Sequence, residues 1–312
     1  MAVLSDQSNT ILRLGTRGSL LARMQSEWVA RQIQSLHPHV RVELHIIKTT
    51  GDRIQDRPLH DAGGKGLFTK EIEQALLAGQ IDFAVHSYKD VPVTMPLIDV
   101  SQLIMAATPA REDPRDVLIS HHAIKRMIDL PRRARIGTGS LRRQCQLLAV
   151  RPDLQVMPVR GNIDTRLRKL REGDFDALIL AAAGLKRANL FDSAVMAPIE
   201  ITEMVPSPGQ GALALQCRSA DSVTLAILKQ LNDPITADCV ALERKIVHLL
   251  NADCHSPLGV HARMIGGEIQ VFAALGRENV QSELRTAFAC GSLTDADALA
   301  EKIAADLWND RK

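Results

Sequence analysis

The chain is 312 residues long, 46% hydrophobic and 24% charged, with a formal net charge of +2 and 3% aromatic residues. This is an ordinary globular composition with length for two or three domain cores, and it has neither the positive charge nor the stacking groups of a nucleic-acid binder. No apolar run approaches the ~20 residues of a membrane span, the N-terminal MAVLSDQSNT lacks the basic and apolar regions of a signal peptide, and five scattered cysteines without a CxxC pair indicate neither a disulfide framework nor a zinc site. The expectation is a cytoplasmic protein that uses no membrane, nucleic acid or metal. Of its 38 basic residues 27 are Arg, whose planar fork matches carboxylate and phosphate oxygens, so anionic small molecules are the expected partners.

In chain order, residues 11–14 read as a strand that ends in GTRGSL, and an amphipathic helix follows to Leu36. VRVELHII (40–47) alternates as a second strand. Residues 49–66 are rich in Gly, Asp and Arg, carry Pro58 and have no apolar period. They read as a mobile loop of the kind that carries function, closed by GGKG. Apolar spacing at Leu67, Ile72, Ala75 and Leu76 predicts a helix to Ala78, stopped at Gly79. Residues 81–85 form a short buried strand that runs into His86, Ser87, Tyr88, Lys89 and Asp90 and stops at Pro92. A polar run at the carboxyl end of an apolar strand is where open α/β sheets bind ligands. A strand near 103–107 follows.

REDPRDVLIS (111–120) reads as a hinge and the first strand of a second domain. A short strand at 135–137 leads through GTGSLRRQCQLLAV into a helix. A strand at 154–158 leads through RGNIDTRLRKL into another, and 177–183 is a buried strand followed by GLKR. GTRGSL and GTGSLRR are one device used twice, which suggests two α/β domains of similar design. PSPGQGALALQC (206–217) reads as a Gly-rich crossing and a strand that rejoins the first sheet. Helices follow near 220–231 and 237–250. Strands near 260–264, 268–274 and 284–290, with a helix over 295–308 entered through a Ser292 or Asp295 cap, make a small α+β domain. The expected domains are 1–109 with 212–231, then 110–211, then 232–312.

Ser19, Ser140 and Asn162 each stand at the start of a predicted helix just after a strand, where backbone N–H groups and the helix dipole attract anions. Arg17, the pair Arg142 and Arg143, and Arg160 with Arg166 lie beside them. Taken singly, each junction reads as well as a plain N-cap with solvated arginines; three junctions of the same residue types favour a cleft for a polyanion. No P-loop or dinucleotide fingerprint accompanies them, which leaves carboxylates as the ligands. Asp90, an acid among these cations, calls for a positive group or an N–H donor such as a pyrrole, imine or amine. Cys254, in NADCHSPLG beside His255, reads as a nucleophile or attachment point whose pKa the histidine lowers, or as an incidental loop thiol.

Together these segments resemble the porphobilinogen deaminase (hydroxymethylbilane synthase) family. The resemblance rests on LGTRGSLLARMQ, GGKGLFTKEIE, AVHSYKDVP, REDPRD, GTGSLRRQCQL, RGNIDTRL, LAAAGLKR, PGQGA and the Cys254 loop, in the family's order over residues 11–260. It implies two α/β domains like the halves of a periplasmic binding protein, with a cleft between them, and a small α+β C-terminal domain. It implies a transferase that joins four porphobilinogen units into the linear tetrapyrrole hydroxymethylbilane, with release of ammonia, on a covalent dipyrromethane primer, as a cytoplasmic monomer. By match to the family's motifs, Cys254 carries the dipyrromethane cofactor through a thioether and Asp90 is the catalytic carboxylate. Lys89, Asp90, Ser140, Arg142, Arg143 and Arg166 bind the cofactor, and Arg17, Ser19, Gln25, Lys65, Arg160 and Arg187 bind substrate carboxylates. The chain departs from the pattern at Asp61, where the family often has Lys, at Ala252 and Asp253, where Gly-Gly usually precedes the cysteine, and at Tyr88, where Met or another apolar residue is familiar. A non-catalytic binding protein for an anionic small molecule on the same fold is the alternative; it would need neither Asp90 nor Cys254.

Overall fold

The computed structural model describes residues 10–53, 66–93, 98–99, 101–121, 124–253, 256–277 and 283–308. The chain opens with β1 (Thr10–Thr16), α1 (Leu20–Leu36), β2 (Val40–Ile46), a single turn α2 (Thr50–Arg53), α3 (Lys70–Leu77), β3 (Phe83–Ser87) and β4 (Leu103–Ala107). It continues with β5 (Asp116–Ser120), β6 (Arg135–Gly137), α4 (Leu141–Val150), β7 (Gln155–Met157), α5 (Ile163–Arg171), β8 (Ala177–Ala181), α6 (Ala182–Arg187) and β9 (Met196–Pro198). Then come β10 (Leu213–Arg218), α7 (Ser222–Lys229), α8 (Pro234–Leu249), β11 (Leu258–Ile265), β12 (Glu268–Leu275), β13 (Arg285–Gly291) and α9 (Ala296–Trp308).

The chain folds as two compact units: Met1–Ser87 with Thr94–Ala110 and Leu213–Asp233, and Tyr88–Val93 with Arg111–Ala212 and Pro234–Lys312. The first unit is built on a sheet in the order β2-β1-β3-β10-β4, in which β1 is parallel to β2 and β3 while β10 runs antiparallel to both its neighbours. The expected return of the chain to the first sheet is thus real, and β10 lies inside that sheet rather than at its edge. Leu12, Leu14, Val29, Ile33, Phe83, Val85 and Leu215 fill one face, with Ile227 and Leu228 of α7. Ile72 and Leu76 of α3 cover the other, against Ile81, Ala84 and Leu103.

The second unit repeats the design. Its larger sheet has the order β7-β6-β8-β5-β9, again with three parallel strands and then one antiparallel strand inserted before the edge. The repeat extends to details. In the first sheet the Arg13 backbone N–H and guanidinium donate to Asp82 at 2.8 and 2.7 Å, and the Asp82 N–H donates back to the Arg13 carbonyl at 2.8 Å. In the second, Arg135 does the same with Asp176 at 2.7 and 2.8 Å, and the Asp176 N–H returns the bond at 2.9 Å. Both faces of the central strands are covered, so β5 and β8 are mostly apolar and buried. Leu118, Ile136 and Ile179 pack with Leu147 of α4, while Val117, Ile119, Leu178 and Leu180 pack with Leu170 and Leu185. The same unit holds a three-stranded antiparallel sheet, β11-β12-β13. One face of that sheet packs on α8 through Leu242, Ile246 and Val247 and on α9 through Leu299, Ile303 and Leu307.

Two α/β sheets of one design and a small α+β C-terminal part are therefore what the chain forms. Two elements differ from expectation. The strand predicted over 177–183 ends at Ala181, and α6 begins at once, because the following Ala-Ala-Gly-Leu has no β-branched side chain to resist winding. Edge strand β9 has three residues, too few to show a period in sequence. In the predicted loop, Thr50–Arg53 form a helical turn, while residues 54–65, with Asp61 and Lys65, lie outside the described residues.

Candidate functional site

Beyond Ser87 the chain leaves β3 in a single 3-10 turn, Tyr88–Asp90, that packs with the second unit although β3 belongs to the first. Lys89 in this turn is half-buried and Asp90 is exposed. The Lys89 ammonium donates to Gln210 Oε1 at 3.4 Å. Gln210, 1% exposed, is fixed from its other end: Nε2 donates to the Pro114 carbonyl at 2.7 Å and to Asp116 Oδ1 at 3.0 Å. This settles the amide orientation, since an amide nitrogen that donates twice leaves its oxygen to face the lysine.

Asp116, at the head of β5, is fully buried. Arg142 Nη1 donates to its Oδ2 at 2.8 Å, and Arg143 donates to its Oδ1 through Nη2 at 2.8 Å and Nε at 3.1 Å. The two guanidiniums are anchored further on the carbonyls of Val205 at 2.7 Å and Ile179 at 2.9 Å. Burial alone would push the Asp116 carboxyl up, but the two arginines hold it well below the usual carboxylate range. Burial pushes the Lys89 ammonium down, Asp90 and Asp116 oppose that shift, and Arg143 and Arg142 add to it.

The charges do not cancel. Arg166 donates to the Gly161 carbonyl at 2.8 Å and Arg187 to the Gly211 carbonyl at 2.9 Å, and neither pairs with a carboxylate among the described residues. Burial lowers the pKa of both, and Arg143 lowers that of Arg166 further, yet a guanidinium stays charged at neutral pH. Lys89, Arg142, Arg143, Arg166 and Arg187 stand in one unit; Arg142 and Arg143 share the buried Asp116, Asp90 acts on Lys89, and Glu112 acts on Arg187. Cations held partly out of water with too few anions are a fit for a ligand that brings several carboxylates. A dipyrromethane, whose two pyrrole units carry two carboxylates each, is such a ligand.

Ser140 caps α4, its Oγ accepting the Arg143 N–H at 3.5 Å, and Arg160 is exposed. Asn162 is the N-cap of α5 but makes no side-chain cap bond. In the first unit Ser19 caps α1 by accepting the Ala22 N–H. Arg17 is paired with Asp52 at 2.5 Å and lies over the Phe68 ring at 3.8 Å. Gln25, buried, exchanges hydrogen bonds with the Ser87 hydroxyl at 3.0 and 3.1 Å. Beneath it His86 is bonded to Gln216 Oε1 at 3.0 Å, and Gln216 Nε2 donates to buried Glu73 at 3.1 Å. Burial, with Arg17 nearby, pushes the His86 imidazole down to about 4. Cys254 and Lys65 lie outside the described residues.

Three residues that carry this arrangement are not among the expected site residues: Asp116 and Gln210, which lie in REDPRD and PGQGA, and Glu243. The PGQGA segment looked like a plain crossing, but both its glycines have positive φ, +71° at Gly209 and +88° at Gly211. A Cβ at Gly211 would stand 2.3 Å from the Glu112 carbonyl oxygen. The Gly209 N–H donates at 2.6 Å to Glu243 of α8. That fully buried carboxylate also accepts from Arg111 at 2.6 and 3.2 Å and from the Ala262 N–H at 2.8 Å. Burial opposes its ionisation, yet Arg111 and His261 hold it down at about 2. The signal was there in part: an acid opening the apolar strand VLIS and another inside the apolar face of a helix.

Comparison with known proteins places the chain in a family. The family model described as "Porphobilinogen deaminase, dipyromethane cofactor binding domain" matches residues 12–226, and "Porphobilinogen deaminase, C-terminal domain" matches 237–309. Curated relatives named porphobilinogen deaminase include one from Brevibacillus brevis, 50% identical over 80% of this chain and 79% of that protein. One from Syntrophobacter fumaroxidans is 42% identical over 96% and 95%, and one from Nitrobacter winogradskyi 45% identical over 95% and 94%. Among the described residues no helix is long and apolar enough to cross a membrane.

Proposed function

We propose a residue-level mechanism from one premise: this chain belongs to the porphobilinogen deaminase family. The family's reaction is its activity, the head-to-tail condensation of four porphobilinogen units to hydroxymethylbilane with loss of ammonia at each addition. When bound, the dipyrromethane supplies the nucleophilic pyrrole carbon on which the chain is begun, and Cys254 holds it through a thioether.

The observation that carries the assignment of roles is the cluster around Asp116. Lys89, Ser140, Arg142, Arg143 and Arg166 bind the cofactor's carboxylates. Each guanidinium offers five N–H donors, and Asp116, Val205 and Ile179 take only part of them. Arg17, Ser19, Gln25, Lys65, Arg160 and Arg187 serve the acetate and propionate groups of incoming porphobilinogen. Each charge-assisted bond of this kind contributes about 1.5–3 kcal/mol, so the carboxylates orient the ring and leave its reactive carbons free. Asp90 does the chemistry. Loss of ammonia from porphobilinogen leaves positive charge on the pyrrole nitrogen, and a fixed carboxylate beside that nitrogen stabilises the developing charge. The same carboxylate accepts the pyrrole N–H and helps the proton leave the newly joined ring. Asp90 is exposed at the turn, where its carboxylate can face the substrate. We place the chain in the cytoplasm as a monomer, with domains 1–109 plus 212–231, 110–211 and 232–312.

Asp90→Asn tests the assignment. It removes the charge and keeps the shape, so kcat falls by at least ~10²-fold while the melting temperature stays that of the parent. Parental turnover in this variant would take Asp90 out of the mechanism.

A further inference from the structure

Two consecutive residues of α8 bear on the Asp90 turn, Glu243 through Gly209 and Arg244 directly. Glu243 accepts the Gly209 N–H at 2.6 Å, and the Gly209 backbone lies against the turn, where an added Cβ would sit 3.1 Å from the Lys89 nitrogen. Arg244 donates from Nη1 to the Val91 carbonyl at 2.9 Å and from Nη2 to the Pro92 carbonyl at 2.6 Å. Its guanidinium carbon also lies 5.0 Å from the centroid of the Tyr88 ring. One side chain therefore holds the residue two before Asp90 and the two residues after it.

Asp90 needs such support. Among the described residues its carboxylate accepts no hydrogen bond, so the backbone of the turn is what positions it there. The turn's own bonds are few: the Tyr88 N–H donates to the Ala212 carbonyl at 3.0 Å, and the Val91 N–H closes the turn on the Tyr88 carbonyl at 3.0 Å. The rigid fork of Arg244 spans two successive carbonyls, which a lysine cannot do with one ammonium. Tyr88 gives the guanidinium a ring face that an aliphatic residue would not offer. Behind Arg244, α8 is fastened into the C-terminal core by Leu242, Ile246 and Val247.

We infer that Arg244 is a positioning residue for the reaction, holding the Asp90 turn in its working shape from the C-terminal helix, with the Tyr88 ring as its seat. The inference rests on the role proposed for Asp90. It gives α8 a task in turnover in addition to its place in the C-terminal core.

The test uses the full holo-protein, with cofactor content verified by intact mass, and compares Arg244→Met, Arg244→Lys, Tyr88→Leu and Asp90→Asn with the parent. A small misplacement of a reacting group lowers turnover steeply, so Arg244→Met is expected to lose ~10- to 100-fold in kcat with KM within about 3-fold of the parent. Arg244→Lys recovers part of that loss. Tyr88→Leu lowers kcat in the parent and has no further effect in the Arg244→Met background. Parental kcat in Arg244→Met, beside an inactive Asp90→Asn, overturns the positioning role alone. Parental kcat in Asp90→Asn overturns the reading on which it rests. Where Arg244→Met fails to fold, Arg244→Lys decides: a parental kcat there overturns the inference.

Discussion

Asp116 shows how much of this site is made at the level of single charges. Arg142 is 4% exposed and spends its Nη1 on Asp116 and on the Val205 carbonyl. Removing one partner of a buried ion pair leaves the rest uncompensated, so Arg142→Leu is expected to lower unfolding free energy by about 3 kcal/mol, read from a denaturant melt. An unchanged midpoint would mean the pair is not formed. His86 gives a pH prediction. Its folded pKa lies at about 4 against an ordinary 6.5. Between those values the unfolded chain binds the proton and the folded chain does not, so stability is complete above 6.5 and is lost as pH falls toward 4. His86→Gln is expected to flatten the fall in melting temperature across that window; an identical slope would place the titration elsewhere. Lys89 and Asp90 were legible in the sequence because a polar run ends an apolar strand. Asp116 and Gln210 were not, because their partners lie 26, 27 and 94 residues away and no local pattern joins them.

Among the elements, the strand–turn–helix unit was read correctly twice, and for a physical reason. A Ser after a short apolar strand satisfies the open N–H groups of the next helix, and Ser19 and Ser140 both do so. Asn162 carried the same signal without making the bond, since a cap residue states a preference that the local backbone can decline. The PGQGA crossing was underread: glycines that look like looseness are here a requirement for positive φ. Gly211→Ala puts a Cβ against the Glu112 carbonyl at 2.3 Å and is expected to cost about 3 kcal/mol. Gly173→Ala, at φ +83° with open space around it, should cost only the left-handed strain of about 1 kcal/mol. Equal melting temperatures for the two variants would show that the close approach at Gly211 does not matter.

Over the whole molecule, the doubled design was visible in GTRGSL and GTGSLRR, but its depth was not. The order of five strands, the inserted antiparallel strand and the Arg13–Asp82 and Arg135–Asp176 pairs recur in both sheets. Pairing across 69 and 41 residues is a tertiary fact that short motifs only hint at. The expectation of an anionic ligand came from arginine content and from three helix starts flanked by arginines, and Lys89, Arg142, Arg143, Arg166 and Arg187 all lie in the second unit. We propose that these cations receive the carboxylates of the dipyrromethane. We propose that this chain carries a dipyrromethane on Cys254, and the intact mass of the purified protein beside a Cys254→Ser variant tests it. The expected result is an increment of two linked pyrrole units on the parent, absent from the variant. A parent with the bare polypeptide mass, unchanged after incubation with porphobilinogen or hydroxymethylbilane, would contradict it.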